Sequence, residues 1–563
     1  MLNIPGNYEL NKMLFTLHKY IFRELLRVFI LAVVALTLML SLGSILQPIQ
    51  EYGVGPRQVL YLMGYFLPIT LTFVLPMAAL FAGSLVYGRF AGDSELDACR
   101  ASGISLLRLV YPGLSLAIMV AVANLILSFY VMPVFVHRAE KSLKTDAKKI
   151  LFRNIKSKGY YELPPDYRYL IYADKANLEN DTLSGVVVIE MKDNKIKKIF
   201  TAEIAKVSFN PHEKFNEVQI LAYNSSQMGT GSEAGAEWGS LTAELGSLLA
   251  DEIKFKKIDE MRKIKADLMS FDPIAREARK TYAQLIIELL AQDIKTAISR
   301  TAEPSETPAD NADDDLRFYE LLGTPNSVKF IAGRCIAGNE EIEISGEEEV
   351  VVMEYETDSK RPIRTLSCEK AMLHIVHIEG DELAPTLTMD IYNAKEEGSV
   401  ELTMRYIISD LIPPPVVEAT ANQFKTEGGS LKVEKLASEL PQLPVLKSSP
   451  NLRSLKSNLL KEIESSLVRI KAEIHTRLVF GAGCIPMILI GIGLGIIKKG
   501  GHLLSAFGAS CIPAAVLIVC IMSGKNLIKN PGSQSITGVA LMWAGLVFLI
   551  LLAAMIYHRL LKN

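Results

Sequence analysis

The stretch YGRFAGDSELDACRASGISLLRL, Tyr87–Leu109, sets three acids and three arginines between two long uncharged segments. Asp93 or Ser94 is placed to cap a short helix there, with Glu95 and Asp97 in its first turn, where a carboxylate is favoured by the helix dipole. Gly103 is placed to stop it. The chemistry open to such a helix is ion pairing with a partner protein, carried by Glu95, Asp97, Arg89 and Arg100. The plain alternative is a solvated loop. Bond-making chemistry has no comparable signal: no GxxxxGK[ST] phosphate loop occurs, and GIGLGIIKKGG lacks both its spacing and its strand-to-helix setting. No Ser/His/Asp set or carboxylate pair stands out, and His475 and His502 read as positional. With no CxxC or Cys/His cluster, no metal site is expected.

The elements that hold this charged loop are apolar. Of the 563 residues 49% are hydrophobic, and a mean hydropathy of +0.23 suits a membrane protein with a sizeable polar part. A net charge of -2 gives no support to a nucleic-acid partner. A spanning helix needs about 20 mostly apolar residues. Six segments satisfy that: Val28–Leu46, Val59–Gly88, Leu109–Val136, Leu478–Ile497, Leu503–Gly524 and Ser535–Tyr557. Lys12, Lys19, Arg23, Arg27, Arg89, Arg100, Arg108, Lys498, Lys499, Arg559 and Lys562 fall on one side of these spans. The positive-inside rule therefore predicts cytoplasmic termini and a cytoplasmic Tyr87–Leu109 loop, with the large insert outside.

The expected fold class is an α-helical membrane protein of six transmembrane helices, three before and three after a large β-rich insert. Its expected divisions are 1–137, with the coupling loop near 93–102; 138–300, a first β part and helical connector; 301–470, an extra segment; and 471–563. YRYLIYADKA, LSGVVVIEM, KIFTAEIAKVSF and NEVQILAY read as strands of the first part. Lys257–Arg300 has helical periodicity, and TAEPSETPADNADDD has the composition of a linker. EEEVVVMEY, KAMLHIVHI and APTLTMDIYNA read as strands of a second β part, and a long helix from about Asn451 leads into span four. Of the six cysteines only Cys335 and Cys368 lie in the polar middle. In an oxidising compartment they are open to pairing, but sequence does not fix their separation.

The charged loop and the span before it resemble the LptF/LptG permease family of the lipopolysaccharide export system. The family pattern has a proline-rich second span with P-x-A-x-L, matched by Pro76, Ala78 and Leu80. It continues with S-E-x-x-A-x-x-A-x-G-x-S, matched by Ser94, Glu95, Ala98, Ala101, Gly103 and Ser105. EIHTR, Glu473–Arg477, is similar to the family's E-x-H-x-R before span four. The segment Thr301–Val445 departs from the family, in which a single β-jellyroll leads almost directly into span four.

The resemblance implies a jellyroll-like periplasmic insert and a multi-pass protein of the bacterial inner membrane, acting as the permease half of an ABC transporter. Implied partners are an LptB-type ATPase dimer, a second LptF/LptG-type permease and an LptC-type single-span protein, with lipopolysaccharide as cargo. No cofactor is expected on this chain; ATP and Mg²⁺ would belong to the ATPase. Glu95 matches the family's coupling-helix acid, and spans one and five its lateral gate. Arg57, Arg138, Arg477, Lys525 and Lys529 lie near the outer face, where cations can meet lipid phosphates or merely anchor helix ends by snorkelling. Gly491 and Gly495 have the spacing for close helix packing, and Pro68 and Pro76 could bend span two. Two other classes stay open. A mechanotransmission permease would have the same loop but a soluble periplasmic partner and no lipid in its core. An envelope scaffold would have no ATPase contact.

Overall fold

The structure is a computed structural model that describes residues 7–52, 56–145, 147–162, 169–192, 195–211, 216–229, 232–245, 252–302, 318–331, 333–358, 361–376, 386–398, 402–426, 429–440, 449–497, 503–529 and 534–562. It divides into two compact units, Met1–Met261 with Ser466–Asn563, and Arg262–Ser465.

Five helices among the described residues are long and apolar enough to cross a membrane: Leu14–Ser41, Met63–Gly92, Leu106–Ser142, Pro450–Ile497 and Ile536–Lys562. The expected fifth span lies in helix Leu503–Lys529, whose described apolar stretch, Ile512–Ile528, is shorter. Only a helix satisfies every backbone group within one apolar segment, so continuous uncharged runs of this length fold this way in lipid. Span four is central to the helical packing. Its Cys484, Ile488 and Ile492 pack with Leu25, Ala78, Ala82 and Leu116 of spans one to three. Its Val479, Met487 and Ile490 pack with Leu517, Ile521 and Met542 of the last two helices. Gly491 and Gly495 make the approach to span two possible. A Cβ at Gly491 would lie 2.8 Å from the Leu80 carbonyl oxygen, and one at Gly495 would lie 2.6 Å from that of Ser84. The buried Asn124 side chain donates to the Thr72 carbonyl at 2.6 Å, a polar tie between spans two and three. Span two runs through Pro68 and Pro76 as one helix. Span three contains a π-helical turn, Leu127–Val131.

The first sheet contains β1 (Tyr160–Glu162), β2 (Tyr169–Asn177), β3 (Thr182–Lys192), β4 (Lys195–Pro211), β5 (Asn216–Gly229) and β6 (Ser232–Leu245). Each strand pairs antiparallel with its neighbour in sequence. In place of the expected jellyroll, with its Greek-key crossovers, the described strands form a meander, because their short connections allow only antiparallel hairpins. Its buried face, including Ile171, Leu183, Val188, Val207 and Ile220, packs with Leu151, Phe152 and Ile155 of helix Ala147–Lys158.

The second unit has its own core. Strands β7 (Tyr319–Leu321), β8 (Asn326–Ile331), β9 (Arg334–Ala337), β10 (Glu341–Glu356), β11 (Pro362–Val376), β12 (Thr386–Glu396) and β13 (Leu402–Leu411) form a sheet of order β13-β12-β11-β10-β8-β7, with β9 also on β10. The ends of this sheet meet: the Ile412 N–H donates to the Leu322 carbonyl at 2.7 Å and that of Thr324 to Asp410 at 3.2 Å. Inside, the buried Glu354 carboxylate accepts from Asn326 Nδ2 at 2.7 Å and from the Tyr406 hydroxyl at 2.8 Å. Partial burial, and then that contact, push the Tyr406 hydroxyl up to about 12.

One expected boundary is corrected in this unit, and one open question concerns its cysteines. Helix Asp272–Ala302 belongs to the second unit and not to the first β part, and its buried Leu285, Ile286, Leu290 and Ile294 lie in the second unit's core. It is separated from helix Ile258–Ala266 by a 3₁₀ turn, where Asp267 accepts the Met269 N–H at 3.0 Å. Secondly, Cys335 and Cys368 are free thiols. Cys335 pairs with Ile344 on one side of β10, and Cys368 with Val350 on the other. Two strand spacings, about 9.5 Å, already exceed the reach of a disulfide, about 7 Å between Cα atoms.

Candidate functional site

The charged loop is built from the helices on either side of it. Helix Pro56–Gly92 ends with the Asp93 N–H on the Arg89 carbonyl at 2.8 Å, and the next helix, Glu95–Ala101, has seven residues. Neither expected cap operates through its side chain. Ser94 stands at φ 60°, in the left-handed region, and makes no side-chain cap bond. The helix is held instead by Leu96, which is buried with Phe90, Leu106 and Leu109. Gly103, at φ 83°, stops it as expected. With Leu96 turned inward, Glu95 and Arg100 are exposed and Asp97 is half-buried. Arg89 is committed elsewhere: it pairs with Glu24 of the first helix at 3.0 Å and lies over the Phe90 ring. The short helix therefore presents the Glu95 carboxylate and the Arg100 guanidinium, with exposed Asp93 just before it, an arrangement suited to docking.

A second cluster lies at the opposite end of the same spans. The i,i+4 spacing of EIHTR puts Glu473 and Arg477 on one helix face, and Arg477 Nε donates to Glu473 Oε1 at 3.2 Å. Lys525 Nζ donates to the other carboxylate oxygen at 2.7 Å. The rest of the Arg477 fork faces the chain that follows the first sheet: Nη2 donates to the Lys254 carbonyl at 2.8 Å and Nη1 to that of Lys256 at 3.1 Å. Its plane lies over Phe129, in the π-helical turn. Arg477 is 3% exposed, which makes these partners obligatory, because a buried guanidinium without them would be costly. Between the two carbonyls Phe255 is buried with Met132 and Val136, and Ile69 of span two packs on them. Beyond it, Glu260 accepts the Lys257 N–H at 3.0 Å and lies 3.5 Å from His137 Nε2. Burial opposes ionisation of Glu260, but His137 and the Lys257 N–H outweigh it and hold the carboxyl below its usual range.

The expected phosphate contacts thus divide. Arg477 and Lys525 converge on Glu473, so their charge is spent within the protein. Arg138 is exposed, lying over the Phe135 ring. The side chains of Arg57 and Lys529 lie outside the described residues. Phe129, Phe255 and the Lys254 and Lys256 carbonyls were not foreseen. The Glu473/Arg477 spacing announces an ion pair, whereas carbonyls more than two hundred residues away leave no trace in sequence.

Residues 19–261 match the profile of the family described as lipopolysaccharide export system permease LptF/LptG. No curated protein matches the chain. The family match ends where the first unit gives way to the second, so Arg262–Ser465 and the last three helices lie outside it. Residues 19–261 of this multi-pass membrane protein, which hold the charged loop, three membrane helices and the first sheet, are thus similar to the LptF/LptG permease family.

Proposed function

We propose that this chain is a permease subunit of an ABC transporter that takes lipopolysaccharide from the inner membrane and passes it to a periplasmic bridge. The observation that carries the reading is the exposed Glu95/Arg100 face of a helix locked by Leu96 into the first three spans, within the segment that matches the permease family. A push on that face is transmitted to the span packing without a flexible joint. The ATPase would be a separate dimer of the LptB type that binds ATP and Mg²⁺. A second permease of this family and an LptC-type protein would complete the assembly, with both termini of this chain cytoplasmic and both β parts periplasmic. Exposed Arg138 is the remaining described candidate for meeting a lipid phosphate.

The test is co-purification from mild detergent of wild type, Glu95→Ala and Glu95→Lys, with bound proteins and lipids identified by mass. A nucleotide-binding subunit held by wild type and lost with the charge reversal, together with bound lipopolysaccharide, is the expected result. Wild type that retains no ATPase would overturn the reading. An ATPase with a soluble periplasmic partner and no lipid would move the assignment to a mechanotransmission permease.

A further inference from the structure

The cluster around Arg477 has no place in the docking face or in a lipid-phosphate site, yet its guanidinium is buried and bonded to a carboxylate and two carbonyls. We infer that residues 254–260 are a strap by which the spans hold the exit of the first sheet, and that Arg477 is the positioning residue that latches it. This rests on the transport reading above.

Several independent contacts fasten the strap. The Arg477 fork grips the carbonyls of Lys254 and Lys256. Phe255 is pinned against Met132 and Val136 of the helix that continues span three, and Glu260 faces His137 of that same helix. The latch in turn is wired to two other spans. Glu473 links Arg477 of span four to Lys525 of the following helix, so a displacement of either helix changes the charge balance around the fork. Span three reaches the strap through its π-helical turn, Leu127–Val131, whose Phe129 lies under the Arg477 guanidinium. A π turn carries one more residue than the regular spiral and is a natural place for a helix to change register. The strap therefore hangs from three helices at the one level where one of them has a built-in point of adjustment. Movement that begins at the docking face would arrive at the sheet through these contacts. A lysine could supply the charge of Arg477 but not the planar fork that meets two carbonyls and a carboxylate together.

The experiment uses the complete complex with its ATPase in proteoliposomes loaded with lipopolysaccharide, measuring ATP hydrolysis and lipid release on the same preparation. Arg477→Lys tests the latch, and Phe255→Ala tests the strap without disturbing the buried charges. Loss of two charge-assisted hydrogen bonds should lower lipid released per ATP by about tenfold in Arg477→Lys. Hydrolysis should stay within about twofold, whereas thermal midpoints should fall in both variants, because each removes buried contacts. Release per ATP unchanged in both variants overturns the latch. A parallel fall of hydrolysis and release, which leaves that ratio unchanged, likewise marks a merely structural cluster. Wild-type complex that hydrolyses ATP but releases no lipid overturns the transport reading itself, and the latch with it.

Discussion

Cys335 and Cys368 show how much a residue's chemistry depends on what surrounds it. Both thiols are buried in the second sheet, and burial pushes each up to about 11. The thiolate is the reactive species, so both are protected twice, by access and by ionisation. Brief alkylation of the native chain should leave both unmodified, and alkylation in denaturant without reductant should label both, as read by peptide mass. A requirement for reductant would mean that they are bonded. Glu473 makes the complementary point. It reads as an ordinary helical acid in EIHTR, but with two cations on its oxygens it becomes the centre of a buried network.

At the scale of elements, span four is the helix on which the membrane part is assembled, and its glycines are what permit it. A methyl group at Gly495 would press on the backbone of Ser84, whereas one at Gly64, an exposed position of span two, would meet nothing within 4 Å. Backbone cannot swing aside as a side chain can. Gly495→Ala should therefore destabilise the protein by about 1–3 kcal/mol, the usual cost of overpacking. Gly64→Ala should be neutral or stabilising by about 0.5–1 kcal/mol, since alanine restricts the unfolded chain more. Thermal unfolding of the two variants side by side in one detergent checks this. Equal effects would show that the span two–span four contact is not set by the glycines.

For the molecule as a whole, the second unit raises the sharpest question, since it lies outside the family match and carries its own sheet, helices and core. The sheet joins its own ends, and helix Asp272–Ala302 buries a full apolar face within the unit. A fragment of residues 262–465 should therefore be soluble, show mixed helix and strand by circular dichroism, and melt cooperatively. Aggregation or a non-cooperative melt would show that its core depends on the rest of the chain. Were it to fold, the extra segment is a module carried by a permease core and not an enlargement of the first sheet.

The sequence by itself determined the elements whose signal is local. Twenty uncharged residues in lipid have no choice but helix, so all six apolar segments fall on helices. The β-branched runs fall on β2–β5 and β10–β12, since alternation and turn residues are read within a few positions. The charged helix and its glycine stop were legible for the same reason. Less visible were β6, whose SEAGAEWGSLTAEL has little strand character, and β7 to β9, which are too short for an alternating pattern to show. Tertiary structure alone decided the ownership of helix Asp272–Ala302, the separation of the cysteines and the meeting of Arg477 with Lys254 and Lys256. Each depends on which segments come together across long loops, and a residue type carries no information about a partner that only packing brings near.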